Sequence, residues 1–149
     1  MLGVYHAVPK DEILSRVKRL QEKMKGTEMD GILIQQNVDL FYFSGTMQGG
    51  LLYIPKEGAP LLRIRKSLSR AKEDAAFPAE PLEGLKRLQA DLEERYGRIE
   101  RIGLEWDVLP YQWVERLSKS FSRPVEWLDA SSLIREVRMI KSPYEIEHY

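Results

Sequence analysis

A chain of 149 residues with 43% apolar residues fits one domain that buries a hydrophobic core without covalent staples. It contains no cysteine, which rules out disulfides, thiolate metal sites and a cysteine nucleophile, and which suits a reducing, cytoplasmic location. Its 23 basic and 23 acidic residues cancel, which argues against a nucleic-acid partner, and no apolar run approaches the roughly 18 residues needed to span a bilayer.

From Asp11 to Lys25 the apolar residues Ile13, Leu14, Val17, Leu20 and Met24 recur at helical spacing, and Gly26 stops the pattern. Ile32, Leu33 and Ile34 form a compact run that suits a strand covered on both faces. Residues 37–45, NVDLFYFSG, are rich in aromatics and closed by Gly45. Because Phe41, Tyr42 and Phe43 are consecutive, at least one of them is expected to project outward. GLLYIPKEGAPLLRIR reads as a hairpin, with strands at 51–54 and 61–64 around a turn holding Pro55 and Gly58. Ser67 to Ala75 reads as a charged helix, and FPAEPL, with two prolines, as a loop or an edge. Leu85, Leu88, Leu92 and Tyr96 mark a helix stopped by Gly97. RIGLE at 101–105 reads as a strand, Pro110 opens a helix carrying Trp113, Val114, Leu117 and Phe121, and PVEWLDA at 124–130 is a further strand. Asp129 or Ser131 then caps a helix with Leu133, Ile134 and Val137.

Strands alternating with amphipathic helices imply a single α/β domain with a mixed sheet of five or six strands flanked by helices. ILI, IGLE and VEWL are expected at its centre.

The last residues, RMIKSPYEIEHY, open another helix. Ser142 suits the N-cap, Pro143 the first helical position, and Glu145 completes a capping box three residues on. Only seven residues run from Pro143 to Tyr149, so such a helix needs tertiary packing.

A search for chemistry returns little. The two histidines, His6 and His148, stand at opposite ends, with no H-E-x-x-H pattern. Asp107 and Asp129 are metal candidates by position only, and Asp129 has a simpler role as a helix cap. GTMQGG at 45–50 matches half a phosphate loop but continues into Leu51 and Leu52 where Lys and Ser or Thr are required, so it reads as a flexible connector. Ser44 is no nucleophile elbow and has no histidine base. Trp106, Trp113 and Trp127 sit near element ends, as core-edge fillers or as an exposed aromatic interface. Arg63 and Arg65 alternate onto one face of a strand, where both could meet a substrate carboxylate or an acidic surface instead of solvent.

Three stretches together, RVKRLQEKMKGTEMDGILIQQNVDLFYFSGTMQGGLLYIP, RIGLEWDVLP and WLDASSLIREVRMIKSPYEIEHY, resemble the amino-terminal domain of the creatinase and Xaa-Pro peptidase family, which includes prolidases and aminopeptidase P. The resemblance is strongest at Asn37 to Gly45 and at Arg138, Lys141, Ser142, Glu145 and Ile146. It implies an α/β domain at 1–137. Residues 138–149 are then a linker and the start of a catalytic-domain helix left behind in a truncated form. That helix would fray, or be held by a neighbouring molecule, because its packing partner is missing.

By the same resemblance, the catalytic domain carries a two-metal site for divalent manganese, cobalt or zinc. The present domain holds no metal and no catalytic residue. It contributes homodimer contacts and part of the active-site wall, for which the segment from Ser44 to Gly50, with Tyr42, Phe43, Arg63 and Arg65, is the candidate. Its partners are its own catalytic domain and a second copy, with neither nucleic acid nor membrane. The competing reading is a stand-alone α/β binding or assembly module. An independent small enzyme is disfavoured, since no nucleophile, base and orienting group come together.

Overall fold

The structure is a computed structural model and describes residues 8–148. His6 and the His148 side chain lie outside the described residues. Among the described residues the elements run α1 (Lys10–Met24), β1 (Gly31–Ile34), α2 (Asn37–Ser44), β2 (Gly50–Pro55), β3 (Leu61–Ile64), α3 (Leu68–Asp74), β4 (Ala79–Pro81), α4 (Leu85–Tyr96), β5 (Arg101–Leu104), α5 (Tyr111–Ser120), β6 (Glu126–Asp129), α6 (Ser131–Met139) and α7 (Pro143–His148).

Six strands form one mixed sheet in the order β4-β3-β2-β1-β5-β6. β2 pairs antiparallel with β1 and β3, while β1–β5, β5–β6 and β3–β4 are parallel. The strand alternation divides the core into two layers. Ile32, Ile34, Leu52 and Ile54 pack under α1, α2 and α6 with Val17, Leu20, Phe43 and Ile134. Leu33, Leu51, Tyr53 and Ile102 pack on the other side under α4 and α5 with Leu88, Leu92, Val114 and Leu117. Covering both faces is what lets β1 and β2 be apolar at almost every position.

VEWL was expected at the centre of the sheet, and the structure places it at an edge. β6 pairs only with β5, and its terminal residues Glu126 and Asp129 are exposed. A strand carrying charge at both ends cannot be buried on all sides, and the central place goes to β1 and β2. FPAEPL supplies the other edge strand, where the missing N–H groups of Pro78 and Pro81 are tolerated.

The aromatic stretch at 37–45 is helical. The Gln36 side chain accepts from the Asp39 N–H at 3.1 Å as N-cap, and Gly45 ends the helix at φ 87°, a left-handed conformation natural to glycine. All three aromatics rest against the core: Phe43 and Tyr42 are buried and Phe41 is half-buried. The expectation that one projects outward fails because α2 packs against both α1 and β2, and its exposed face is left to Asn37 and Val38.

α7 carries the expected capping box. The Ser142 N–H donates to Glu145 Oε1 and the Glu145 N–H to Ser142 Oγ, both at 3.1 Å. It is not left to fray. Glu145 is fully buried, with Oε2 3.5 Å from the Arg16 guanidinium and Oε1 3.8 Å from that of Arg19. Ser142 Oγ donates to Glu12 at 2.9 Å, so α7 has its packing partner in α1.

Candidate functional site

In an α/β sheet, loops following parallel strands gather polar groups at one edge, and the crevice there is the usual place for ligands. The loops after β1, β5 and β6 meet in this way. β5 ends at Leu104, so Glu105 is the first residue beyond the pairing and points back under the β1 exit. Its Oε1 accepts the Gln35 N–H at 2.7 Å and the Gln36 N–H at 3.2 Å, which satisfies two donors at the entry to α2. The residue is 1% exposed. Burial, followed by a hydrogen bond to the Asp39 carboxyl, pushes its pKa up to about 9. Glu105 Oε2 faces no N–H donor. Burial and the neighbouring Asp39 carboxyl both favour the neutral acid, the form in which this side chain can act as a donor.

Asp39 is itself buried and takes the Arg138 guanidinium of α6 at 2.7 Å. The relay Arg138–Asp39–Glu105 therefore ties α6, α2 and the β5 exit to the backbone of residues 35 and 36. The Gln35 side-chain oxygen accepts the indole N–H of Trp113, linking the relay to α5. Next to it, Asp107 accepts Ser131 Oγ at 2.8 Å and Arg135 at 2.7 Å. Ser131 in turn gives its backbone N–H to Asp129 at 3.0 Å, although the N-cap position of α6 is Ala130 and not the Asp129 or Ser131 expected from sequence. A cleft of about 280 Å³ lies between these groups, with Val38 and Val108 at its mouth. Val38, Met47, Val108 and Tyr111 leave large apolar side chains exposed.

The residues singled out from sequence are not brought to one place. Tyr42 belongs to the α1, α2 and α6 side, where Arg16 stacks over its ring at 4.2 Å and Arg138 at 5.6 Å. Burial raises its phenol pKa. Phe43 is wholly interior. Arg63 and Arg65 face the opposite side of the sheet. Arg63 is held by Glu80 at 3.3 Å and Asp91 at 3.9 Å. Arg65 reaches the carboxyl edge, with its guanidinium 5.6 Å from the Trp113 ring centre. Tyr42, through Arg138, and Arg65, through Trp113, thus border the relay, whereas Phe43 and Arg63 do not touch it. The three tryptophans are half-buried against the second core layer, the core-edge role. The connector after α2 is pinned: Thr46 is buried, its Oγ1 accepts the Gln48 N–H at 3.1 Å, and the Gly49 carbonyl accepts the Arg65 N–H at 3.0 Å.

Sequence reasoning missed Glu105 and Asp39, and met Arg138 only through the resemblance. The available signal was a carboxylate immediately after the apolar strand RIGL, a position where a solvated end and a buried cap look alike. Among the described residues the edge presents charged and hydrogen-bonding groups and no nucleophile paired with a base. Its carboxylates are paired or protonated, and Ser131 contacts Asp107 with no imidazole between them. Among the described residues no three histidine or acidic side chains converge to hold a metal ion.

Comparison with known proteins agrees with this architecture. The family model for the creatinase/prolidase N-terminal domain matches residues 16–140. The chain is 31% identical over 139 residues to an Xaa-Pro dipeptidase of Pyrococcus horikoshii, a match that covers 92% of this chain and 38% of that protein. The crystal structure of the prolidase from Pyrococcus horikoshii OT3 superposes with a TM-score of 0.72 at 30% identity, covering 89% of this chain and 37% of that one. An Xaa-Pro dipeptidase from Bacillus anthracis shares the fold with a TM-score of 0.75 at 22% identity, covering 91% and 38%. The chain spans less than two fifths of the length of the curated relatives it matches. With the matched segment taking in all six strands, the chain belongs to the creatinase/prolidase N-terminal domain family.

Proposed function

We propose that this chain is the non-catalytic N-terminal domain of a metal-dependent Xaa-Pro dipeptidase or aminopeptidase, and that its carboxyl-edge rim forms part of the wall of that enzyme's active site. The observation that carries the reading is the 31% identity over 92% of the chain to an Xaa-Pro dipeptidase of which it spans only 38%. The rim supports it as well. Arg135, Arg138 and Arg65 suit a surface that meets peptide carboxylates, and the exposed Val38, Met47, Val108 and Tyr111 suit contact with a second domain or a second copy in a homodimer. The divalent ions implied by the resemblance then belong to the following domain, and the protein works in the cytoplasm, where a chain without cysteine needs no oxidising compartment.

The test is to express the whole gene product and assay it on Xaa-Pro dipeptides with added manganese, cobalt or zinc. Metal-dependent cleavage that chelation abolishes is expected. A product with no further domain, or one that leaves Xaa-Pro bonds intact, overturns the reading. A second reading, a binding or assembly module with no peptidase attached, draws on the docking of α7, whose Glu145 is fully buried. It gains if the gene product ends with this domain.

A further inference from the structure

The opposite, amino-terminal edge of the sheet holds a second cleft, of about 570 Å³, between the turn after β2 and the end of α4. This volume lies within the range of small-molecule sites. Its floor is Tyr53. The ring lies across β1 at Gly31, where any Cβ would overlap the phenol carbon and hydroxyl, so glycine is required for the ring to reach this edge. Tyr53 is 1% exposed, yet its hydroxyl has no hydrogen-bond partner. Burial keeps the phenol protonated, which makes it a donor. A buried polar group left in this condition destabilises the fold unless something entering the cleft satisfies it.

Most polar neighbours are already occupied. The Tyr96 hydroxyl donates to the Ala59 carbonyl at 2.6 Å, and its ring sits 5.3 Å from that of Tyr53. Asp30 Oδ2 takes the N–H groups of Glu100 and Arg101 at 2.8 and 2.9 Å. Lys56 Nζ donates to the Thr27 carbonyl at 2.8 Å. Arg95 and Arg98 also line the cleft, and no hydrogen bond or ion pair to either is found among the described residues. The groups left over are a buried hydroxyl donor, two guanidinium groups and the exposed Glu57 carboxylate, so that Lys56, Arg95 and Arg98 outweigh Asp30 and Glu57 and leave the cleft a net positive charge. α4 ends here, so its dipole presents the wrong pole for an anion, and the arginines must supply the attraction.

We propose that the cleft bounded by Tyr53, Tyr96, Arg95 and Arg98 binds a small organic anion, with a carboxylate or phosphate held by the two arginines and the Tyr53 hydroxyl. The site lies at the other end of the sheet from the rim described above and is independent of the peptidase reading.

The test is an NMR titration of the isotope-labelled 149-residue chain with benzoate, phenyl phosphate and neutral benzamide. Saturable shifts are expected around Gly58, Gly97 and Ile99 with one or both anions, and the stronger of the two identifies carboxylate or phosphate as the preferred group. Tyr53→Phe, which keeps the ring, should weaken binding about tenfold, the effect of one lost hydrogen bond to a charged group. The double variant Arg95→Gln/Arg98→Gln, at exposed positions that leave the fold intact, should abolish it. The proposal is overturned if neither anion gives saturable shifts, so that only water fills the cleft. It is equally overturned if benzamide binds as well as benzoate, or if binding survives in the double variant.

Discussion

Replacing Glu105 by glutamine tests the electrostatics of the rim without disturbing its shape. A carboxyl whose folded-state pKa lies above its unfolded value binds its proton more tightly when folded. Its contribution to stability is complete below the unfolded value of about 4.5 and is lost as the pH rises towards 9. At pH 7 the unfolded chain releases this proton and the folded chain keeps it. Across about 2.5 pH units this amounts to about 3 kcal/mol at most. Glutamine can still accept the Gln35 and Gln36 N–H groups through Oε1 and can donate to Asp39 through its amide, but it does not titrate. Urea denaturation of both proteins from pH 5 to pH 8 is the assay. The parent should lose stability relative to Glu105→Gln as the pH rises, so the variant is the more stable by about 2–3 kcal/mol at pH 7 and by more at pH 8, with the gap closing near pH 5. Parallel pH profiles would show that Glu105 is ionised in the native state, and the relay as described would be wrong.

Three further outcomes follow from the packing. Gly31→Ala places a methyl group in the Tyr53 ring and should destabilise the fold by about 1–3 kcal/mol, read as a lower urea midpoint with an unchanged slope. Arg16→Met removes a fully buried guanidinium from Glu12, Glu145 and the Tyr42 carbonyl, leaving the Glu145 carboxylate buried, and should cost about 3 kcal/mol. In Glu145→Ala the capping box and the link to Arg16 both go, so amide hydrogen exchange in residues 143–148 should accelerate by an order of magnitude or more while the amides of β1 stay protected.

Much of the fold was legible because its signals are local. The apolar spacing of α1 and α4, the Pro-Gly turn between β2 and β3, and the Ser142–Glu145 box each rest on a few neighbouring residues, and each is present. α2 was illegible as a helix because NVDLFYFS is apolar nearly all round and has no stripe to read. Only the flanking Gln36 and Gly45 mark its ends. The misplacement of β6 came from counting its Trp127 and Leu128 and discounting its Glu126 and Asp129. The rim was hidden for a different reason. Glu105 and Asp39 are 66 positions apart and Arg138 a further 33 beyond Glu105, so that only the folded sheet brings them together. The buried contact of Glu145 with Arg16 spans 129 positions and is equally invisible in the chain.

The most direct measurement of the central claim is hydrolysis of an Xaa-Pro dipeptide by the purified 149-residue chain alone, with manganese or cobalt supplied in excess. A scaffold that shapes a reaction centre carried by another domain should show no turnover above the uncatalysed rate. Metal-stimulated turnover that tracks the folded protein through its urea transition would contradict the account, because the active site would then lie within these residues.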